Sequence, residues 1–347
     1  MKDLKELGRN QIIESLKKAG YPAYRGEQVF NWLYKNGISQ PAEMKNLPKE
    51  LRAFLVESYQ ITDLKEINRS QATDGTVKYL WELADGDNIE GVYLPFPESN
   101  RHSACISTQV GCAFGCSFCA TGIEGFKRDL TAAEIVDQVL KIQLDISGEN
   151  FAEPRLSNIV FMGMGEPLAN FDNLMQAVEI INADQGLNIG MRKLTISTSG
   201  LVPKIEKLAE TNDQIGLAVS LHAPNDRLRN KIMPINKKYN INQLLTAVIN
   251  YIEKTGRRVT FEYVLMDSVN DSPELAVQLA NLLRGINCHV NLIPANPVPE
   301  LGIKKPVKSV IDNFYNTLDQ NKIQVTIRKE MGSTIDAACG QLKRQTR

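Results

Sequence analysis

Apolar positions along the chain follow two different periods. Up to about residue 70 they recur at three- and four-residue spacing, in LKELGRNQIIESLKKAG, YRGEQVFNWLYKNG and AEMKNLPKELRAFLVESY, with breaks at Gly20-Tyr21-Pro22 and Gly37. That spacing predicts short helices with one apolar face each, and hence a small helical accessory domain over residues 1–75. Beyond it the period shortens: TVKYLWEL and NIEGVYLPF, separated by the turn residues ADGD, predict a hairpin that links into the main domain over 76–100. From residue 101 onward HSACIST, NIVFMGMGEP, KLTISTSG, IGLAVSLHAP, RVTFEYVLM and HVNLIPANP alternate with helical stretches, the mark of parallel β/α units. Six such units are too few for an eight-stranded closure, so the expected class is α/β, a partial, open (β/α)6 barrel over 101–347 whose C-terminal extension adds a strand at IQVTIRKE. Loops at the C-terminal ends of barrel strands vary without disturbing the packed core, and chemistry gathers there. The informative residues fall at those places: Cys112 to Cys119 after the first strand, Gly163 to Pro167 after the second, Ser197 to Gly200 at the third, Ser220 to His222 at the fourth and Asn296 after the sixth.

Composition narrows the class without naming the chemistry. With 347 residues, 43% hydrophobic and 23% charged, the chain is expected to fold throughout, as one large core with an appendage. Its charged N-terminus lacks a signal-peptide pattern, and no apolar run reaches the roughly 18 residues that a membrane span needs, so a cytoplasmic protein is expected, with no membrane partner. In a reducing compartment six cysteines point to thiol chemistry or metal binding rather than to structural disulfides. Lys plus Arg and Asp plus Glu are 40 each, which leaves no global basic field, so contact with nucleic acid would rest on local patches. The candidates are the pairs Lys127-Arg128, Arg192-Lys193, Lys237-Lys238 and Arg257-Arg258, and the tail from 301 to 347, where nine basic residues, Arg328, Lys343, Arg344 and Arg347 among them, face four acidic ones.

In GCAFGCSFCATG, Cys112, Cys116 and Cys119 stand in C-x3-C-x2-C spacing on one tight loop. A four-iron cubane takes four ligands, and three thiolates leave one iron open for the amine and carboxylate of S-adenosylmethionine (SAM). Gly111 and Gly115 let the loop wrap closely. A structural zinc ion closes with four ligands, and no fourth Cys or His lies nearby, His102 being the closest upstream, which favours a 4Fe-4S cluster over zinc.

The spacing resembles the cluster motif of the radical SAM superfamily, whose fold is a partial barrel. Together with FMGMGEPLAN, STSG, SLHAP, IMPINKKY, NLIPANP and IDAACGQL, it resembles the RlmN/Cfr family of radical SAM RNA methyltransferases over nearly the whole chain. The resemblance implies methylation of C2 of an adenine in 23S rRNA and in tRNA. It makes Cys339 the methyl carrier, through a methyl-cysteine and a covalent protein-RNA adduct, Cys105 the thiol that releases the product by forming a disulfide bond with Cys339, and Glu90 the base that removes the C2 proton. It assigns SAM binding to Gly165, Glu166, Ser197, Ser220, Leu221, His222 and Asn296, with Glu166 meeting the amino group, and an electron donor of flavodoxin or ferredoxin type as partner. Cys288 matches no functional position and is expected in the core. Two rivals stay open: a C8-specific adenine methyltransferase of the same family, and a zinc- or cluster-stabilised RNA-binding protein without catalysis.

Overall fold

The computed structural model describes residues 1–123, 125–148, 153–211 and 214–343, so Arg344 and Arg347 of the basic tail lie outside the described residues. Three helices open the chain: α1 (Arg9–Lys18), α2 (Ala23–Tyr34) and α3 (Lys49–Ser58). Prolines at 22 and 48 stand at the N-caps of α2 and α3, where a missing N–H costs nothing. Ile12 and Leu16, Val29, Phe30 and Leu33, and Leu51 and Leu55 are buried in a core that is continuous with that of the sheet. The helices end at Ser58. Lys65–Gln71, which the helical reading of 1–75 included, is a strand. Six of its seven residues are exposed, so it carries no apolar alternation to betray it; it forms because the neighbouring strand offers an open edge.

That strand, β1, begins a ten-stranded sheet. The others are β2 (Val77–Glu82), β3 (Asn88–Phe96), β4 (Arg101–Cys105), β5 (Asn158–Phe161), β6 (Leu194–Thr198), β7 (Gly216–Ser220), β8 (Val259–Leu265), β9 (Cys288–Pro294) and β10 (Val325–Ile327). They lie side by side in chain order. The first four pair antiparallel, β2 with β3 forming the expected hairpin, and from β4 to β10 every pair is parallel. All six expected barrel strands are present, and IQVTIRKE supplies the seventh parallel one. Helices α4 (Ala132–Ser147), α5 (Phe171–Asn182), α6 (Val202–Glu210), α7 (Asp226–Ile232), α8 (Ile241–Thr255), α9 (Pro273–Leu283) and α10 (Lys308–Gln320) fill the connections.

Strand alternation then divides the side chains. One set, including Ala104, Ile159, Ile196, Leu217, Phe261 and Val290, is buried in the main core. The other set, including Cys105, Val160, Ser197, Ser220, Glu262 and Asn291, lines a cavity of about 660 Å³ on the concave face. The helical unit docks elsewhere. Lys5 forms a buried ion pair with Asp137 of α4, whose second oxygen accepts from the Leu64 N–H at 2.7 Å, and none of the unit's residues lies on the cavity wall. Among the described residues no helix is long and apolar enough to cross a membrane.

Candidate active site

The three clustered cysteines hang from a small hairpin in which Gln109–Gly111 pairs with Phe126–Asp129. Gly111 has φ 74°, and a Cβ there would lie 1.8 Å from the Gly125 carbonyl oxygen, so only glycine closes the loop's neck. Cys112 N–H donates to that Gly125 oxygen at 3.1 Å, and Cys119 N–H to Cys116 O at 3.2 Å. All three thiols are half-buried and line one end of the cavity. Burial, reinforced by the neighbouring thiols, pushes Cys112 up to about 12 and raises Cys116 as well. Thiols so placed ionise only when a cation compensates them, which is what an iron cluster supplies. Among the described residues no three His, Cys, Asp or Glu side chains converge as ligands of one metal ion do.

Next to the cysteines lies a cradle made by the ends of β5 to β7. Gly165 has φ 100°, and a Cβ there would sit 2.5 Å from Gln109 Cβ. Glu166 is buried; its carboxylate accepts from Ser199 N–H at 2.7 Å and Leu168 N–H at 3.2 Å, while its own N–H donates to Gln109 Oε1 at 2.8 Å. Burial nonetheless raises its pKa, leaving an acid that gains from an ammonium partner. Ser197, Ser220, His222 and Asn296 are on the cavity wall. Leu221 is not: its side chain is in the core, its N–H donates to Glu262 O at 3.1 Å and its carbonyl accepts from Arg229 Nε at 3.1 Å. His222 sits at φ 55°, and its Nδ1 accepts from Val264 N–H at 3.0 Å, so a neutral ring carries its proton on Nε2. Burial takes its pKa down to about 3, with Arg229 adding to the shift, and Phe118 meets the ring edge-on at 4.7 Å. His222 is therefore a neutral strut, not an acid-base group.

Cys339 arrives from the far end of the chain. The segment that carries it crosses the cavity mouth, anchored where Gly332 N–H donates to Asp74 Oδ2 at 2.9 Å, Gly340 O accepts from Ala120 N–H at 2.8 Å, Leu342 O accepts from Thr121 Oγ1 at 2.6 Å and Gln341 Nε2 donates to Pro297 O at 3.0 Å. Asn296 Nδ2 holds the Cys339 carbonyl at 3.2 Å. The Cys339 side chain opens into the cavity, and the protein enclosing that cavity raises its thiol, with Arg328 pulling the other way. Cys105, at the end of β4, lines the same cavity and is pushed up to about 12 by burial and by Cys339. All six cysteines are free thiols, so a disulfide is not a standing feature of the fold. Cys288 is buried at the start of β9, as expected.

Glu90 is placed differently. It is fully buried on β3 but off the cavity wall, 3.2 Å from Lys78 Nζ and accepting from Lys343 N–H at 3.0 Å, beneath the segment that carries Cys339. The Lys127-Arg128 pair is also occupied within the fold: Lys127 pairs with Asp87, and Arg128 with Asp85 and Glu134.

Several residues of the site went unread in the sequence. Arg229 is fully buried and donates to Leu221 O, to Asn236 Oδ1, to Ser199 O at 2.6 Å and to Ser220 O at 3.0 Å, tying three loops together; burial lowers it to about 10. Asn270 does the same for His222 O and Val264 O. Glu262 and Arg328 line the cavity beside Cys339. The available signals were a charge inside the apolar strand RVTFEYVLM and an arginine on the buried face that α7 shares with Ile232.

The family model described as Radical SAM superfamily matches residues 106–280, and the one described as Ribosomal RNA large subunit methyltransferase N-terminal domain matches residues 2–61. A probable dual-specificity RNA methyltransferase RlmN of Alkaliphilus oremlandii is 50% identical over 344 residues, covering 99% of this chain and 98% of its own. The protein of the same description from Geobacillus kaustophilus is 48% identical over 338 residues, 97% of this chain and 91% of its own. A crystal structure of a radical SAM methyltransferase from Sphaerobacter thermophilus matches with a TM-score of 0.94 at 46% identity, over 99% of both chains. Radical SAM proteins use a 4Fe-4S cluster and SAM, and the thiols and cradle described above fit both. The chain belongs to the RlmN family, SAM-dependent RNA methyltransferases built on the radical SAM barrel.

Proposed function

We propose that this enzyme methylates C2 of an adenine in 23S rRNA and in tRNA, with the methyl group carried on Cys339. The observation that carries the reading is that Cys105 and Cys339, distant in sequence, open into the one cavity that also receives Cys112, Cys116 and Cys119. Adenine C2 is an electron-poor ring carbon without a lone pair; bound there, the cluster and SAM supply the radical chemistry that such a carbon demands.

The roles proposed for the protein's own residues are those the family resemblance implies. Cys112, Cys116 and Cys119 hold the cluster. Gly165, Glu166, Ser197, Ser220, His222 and Asn296 bind SAM, the Glu166 carboxylate taking the ammonium and His222 holding Val264 N–H in place. Leu221 contributes by shaping the backbone, since its own groups are engaged. Cys339 takes the methyl group as a thioether, its sulfur being a strong nucleophile once deprotonated. Once the carried carbon is joined to C2, Cys105 attacks the Cys339 sulfur: the S–S bond forms as the bond from that sulfur to the carbon breaks, the carbon takes a proton to become the product's methyl group, and a cellular thiol reductant then returns the disulfide to the two free thiols of the resting fold. Glu90 removes the C2 proton. Its carboxylate is held by Lys78 and by the Lys343 N–H, so this step requires that hold to loosen. The target base leaves its stack to enter the cavity, the N-terminal helices extend the RNA contact, and a cytoplasmic reductant of flavodoxin or ferredoxin type delivers the electron.

The test is an anaerobic assay with unmodified rRNA and tRNA fragments, methyl-labelled SAM and a reductant, the product nucleoside being identified by mass spectrometry beside C2- and C8-methyladenosine standards. Label at C2 is expected. Label at C8, or an RNA that is bound but unlabelled, overturns the reading.

A further inference from the structure

Part of the cavity wall has no task in the cycle above. On β9 and β10, His289 Nε2 lies 2.9 Å from Thr326 Oγ1, and that hydroxyl donates to Asn291 Oδ1 at 3.0 Å. The chain of bonds fixes the Asn291 amide so that its nitrogen faces Glu262 on β8, 3.2 and 3.4 Å from the two carboxylate oxygens. Glu262 is buried, and long bonds from one amide leave much of its accepting capacity turned to the cavity. Arg328, just past β10, lines the same space, with its backbone held by Leu292 O at 2.8 Å. Its guanidinium and the Glu262 carboxylate attract each other through space, but no hydrogen bond joins them. A buried carboxylate facing a guanidinium across a gap is an arrangement that a ligand completes.

The gap asks for a donor and an acceptor side by side. Adenine offers them as the N6 amino group and N1, and C2 adjoins N1; guanine presents the reverse pattern, O6 accepting and N1 donating. We propose that Glu262 and Arg328 read the Watson-Crick edge of the target adenine, Glu262 accepting from N6 and Arg328 donating to N1, which turns C2 toward Cys339. The inference rests on the C2 reading above. It makes base identity a property of the wall formed by β8 to β10, and gives the Asn291–Thr326–His289 chain the work of holding Glu262 still.

The experiment uses the loaded enzyme and RNA carrying 1-deazaadenosine or 7-deazaadenosine at the target position. With the unaltered enzyme, kcat/KM should fall about ten- to hundredfold for 1-deazaadenosine, which lacks the N1 acceptor, and change little for 7-deazaadenosine. Arg328→Ala should bring native RNA down to that level and lose nothing further on 1-deazaadenosine, and Arg328→Lys should recover part of the native rate. Penalties of Arg328→Ala and 1-deazaadenosine that simply add would overturn the inference. So would a raised KM for SAM in Arg328→Ala with discrimination against 1-deazaadenosine intact, which would hand the pair to the cofactor's own adenine. A loss confined to 7-deazaadenosine would overturn it too. The product made from native RNA by the unaltered enzyme reports separately on the C2 reading, so the two can fail independently.

Discussion

Arg229 lies buried behind the cavity wall and Arg328 is part of that wall, and their surroundings have little in common. Arg229 is wrapped by four oxygen acceptors from three loops on the side where Glu166, Ser199 and His222 are likewise held by backbone groups. Arg328 faces open cavity, as do Glu262, Cys339 and Cys105. The half proposed to receive the cofactor thus has most of its polar groups already bonded, and the half next to the tail leaves Arg328 and part of Glu262 turned to the cavity. Preorganisation favours a ligand that is always the same, whereas unfilled donors and acceptors favour recognition of a base that arrives from outside.

Five experiments press on this contrast. The largest effects come from the cysteines. Cys116→Ala should abolish methylation and the brown colour of anaerobically prepared enzyme together. On the tail side, Cys105→Ala should leave RNA covalently attached to the protein on a denaturing gel, and Cys105→Ala combined with Cys339→Ala should leave none; equal attachment in both would reject the assigned roles.

Next in size is the pair of arginines. Arg229→Leu strands several buried acceptors, at about 1–3 kcal/mol for each one left without a partner, and should lower Tm by many degrees. Arg328→Leu should cost under about 1 kcal/mol and leave Tm nearly unchanged. Similar losses in both would erase the distinction drawn here. Gly165→Ala forces a methyl group into Gln109 at a positive φ, which should cost about 2 kcal/mol and weaken SAM binding measured by titration.

The effect that builds most gradually is a pH slope. His222 has a folded pKa near 3 against an ordinary 6.5, so between those values the unfolded chain holds a proton that the folded chain refuses. Stability should therefore rise with pH across that window, and be lost on acidification below about 6.5 at up to about 1.4 kcal/mol per unit. His222→Asn keeps an oxygen for Val264 N–H and should flatten its share of the slope in urea titrations.

Much of this architecture was legible in the residues. A strand buried on both faces reads as an apolar run, so NIVFM and IGLAVS announced themselves, and Cys112, Cys116 and Cys119 stand close enough in the chain that their spacing alone proposes them as a ligand set. KEINRSQ did not announce itself, because an exposed edge strand has no apolar face to alternate. Glu90 shows the other limit. Its strand was read correctly, but whether it reaches the cavity depends on Lys78 and on the backbone of Lys343, a residue more than two hundred positions away.

Local periodicity and short-range spacing thus carried the strands and the helices and singled out the candidate cluster ligands, since each is set by neighbours within a few residues. Which side of the cavity is finished and which is left open was decided only when the chain closed on itself. The path of the tail over Glu90, the wrapping of Arg229 and the gap between Glu262 and Arg328 all join segments remote in sequence, and burial and charge at such meetings depend on the partner that arrives.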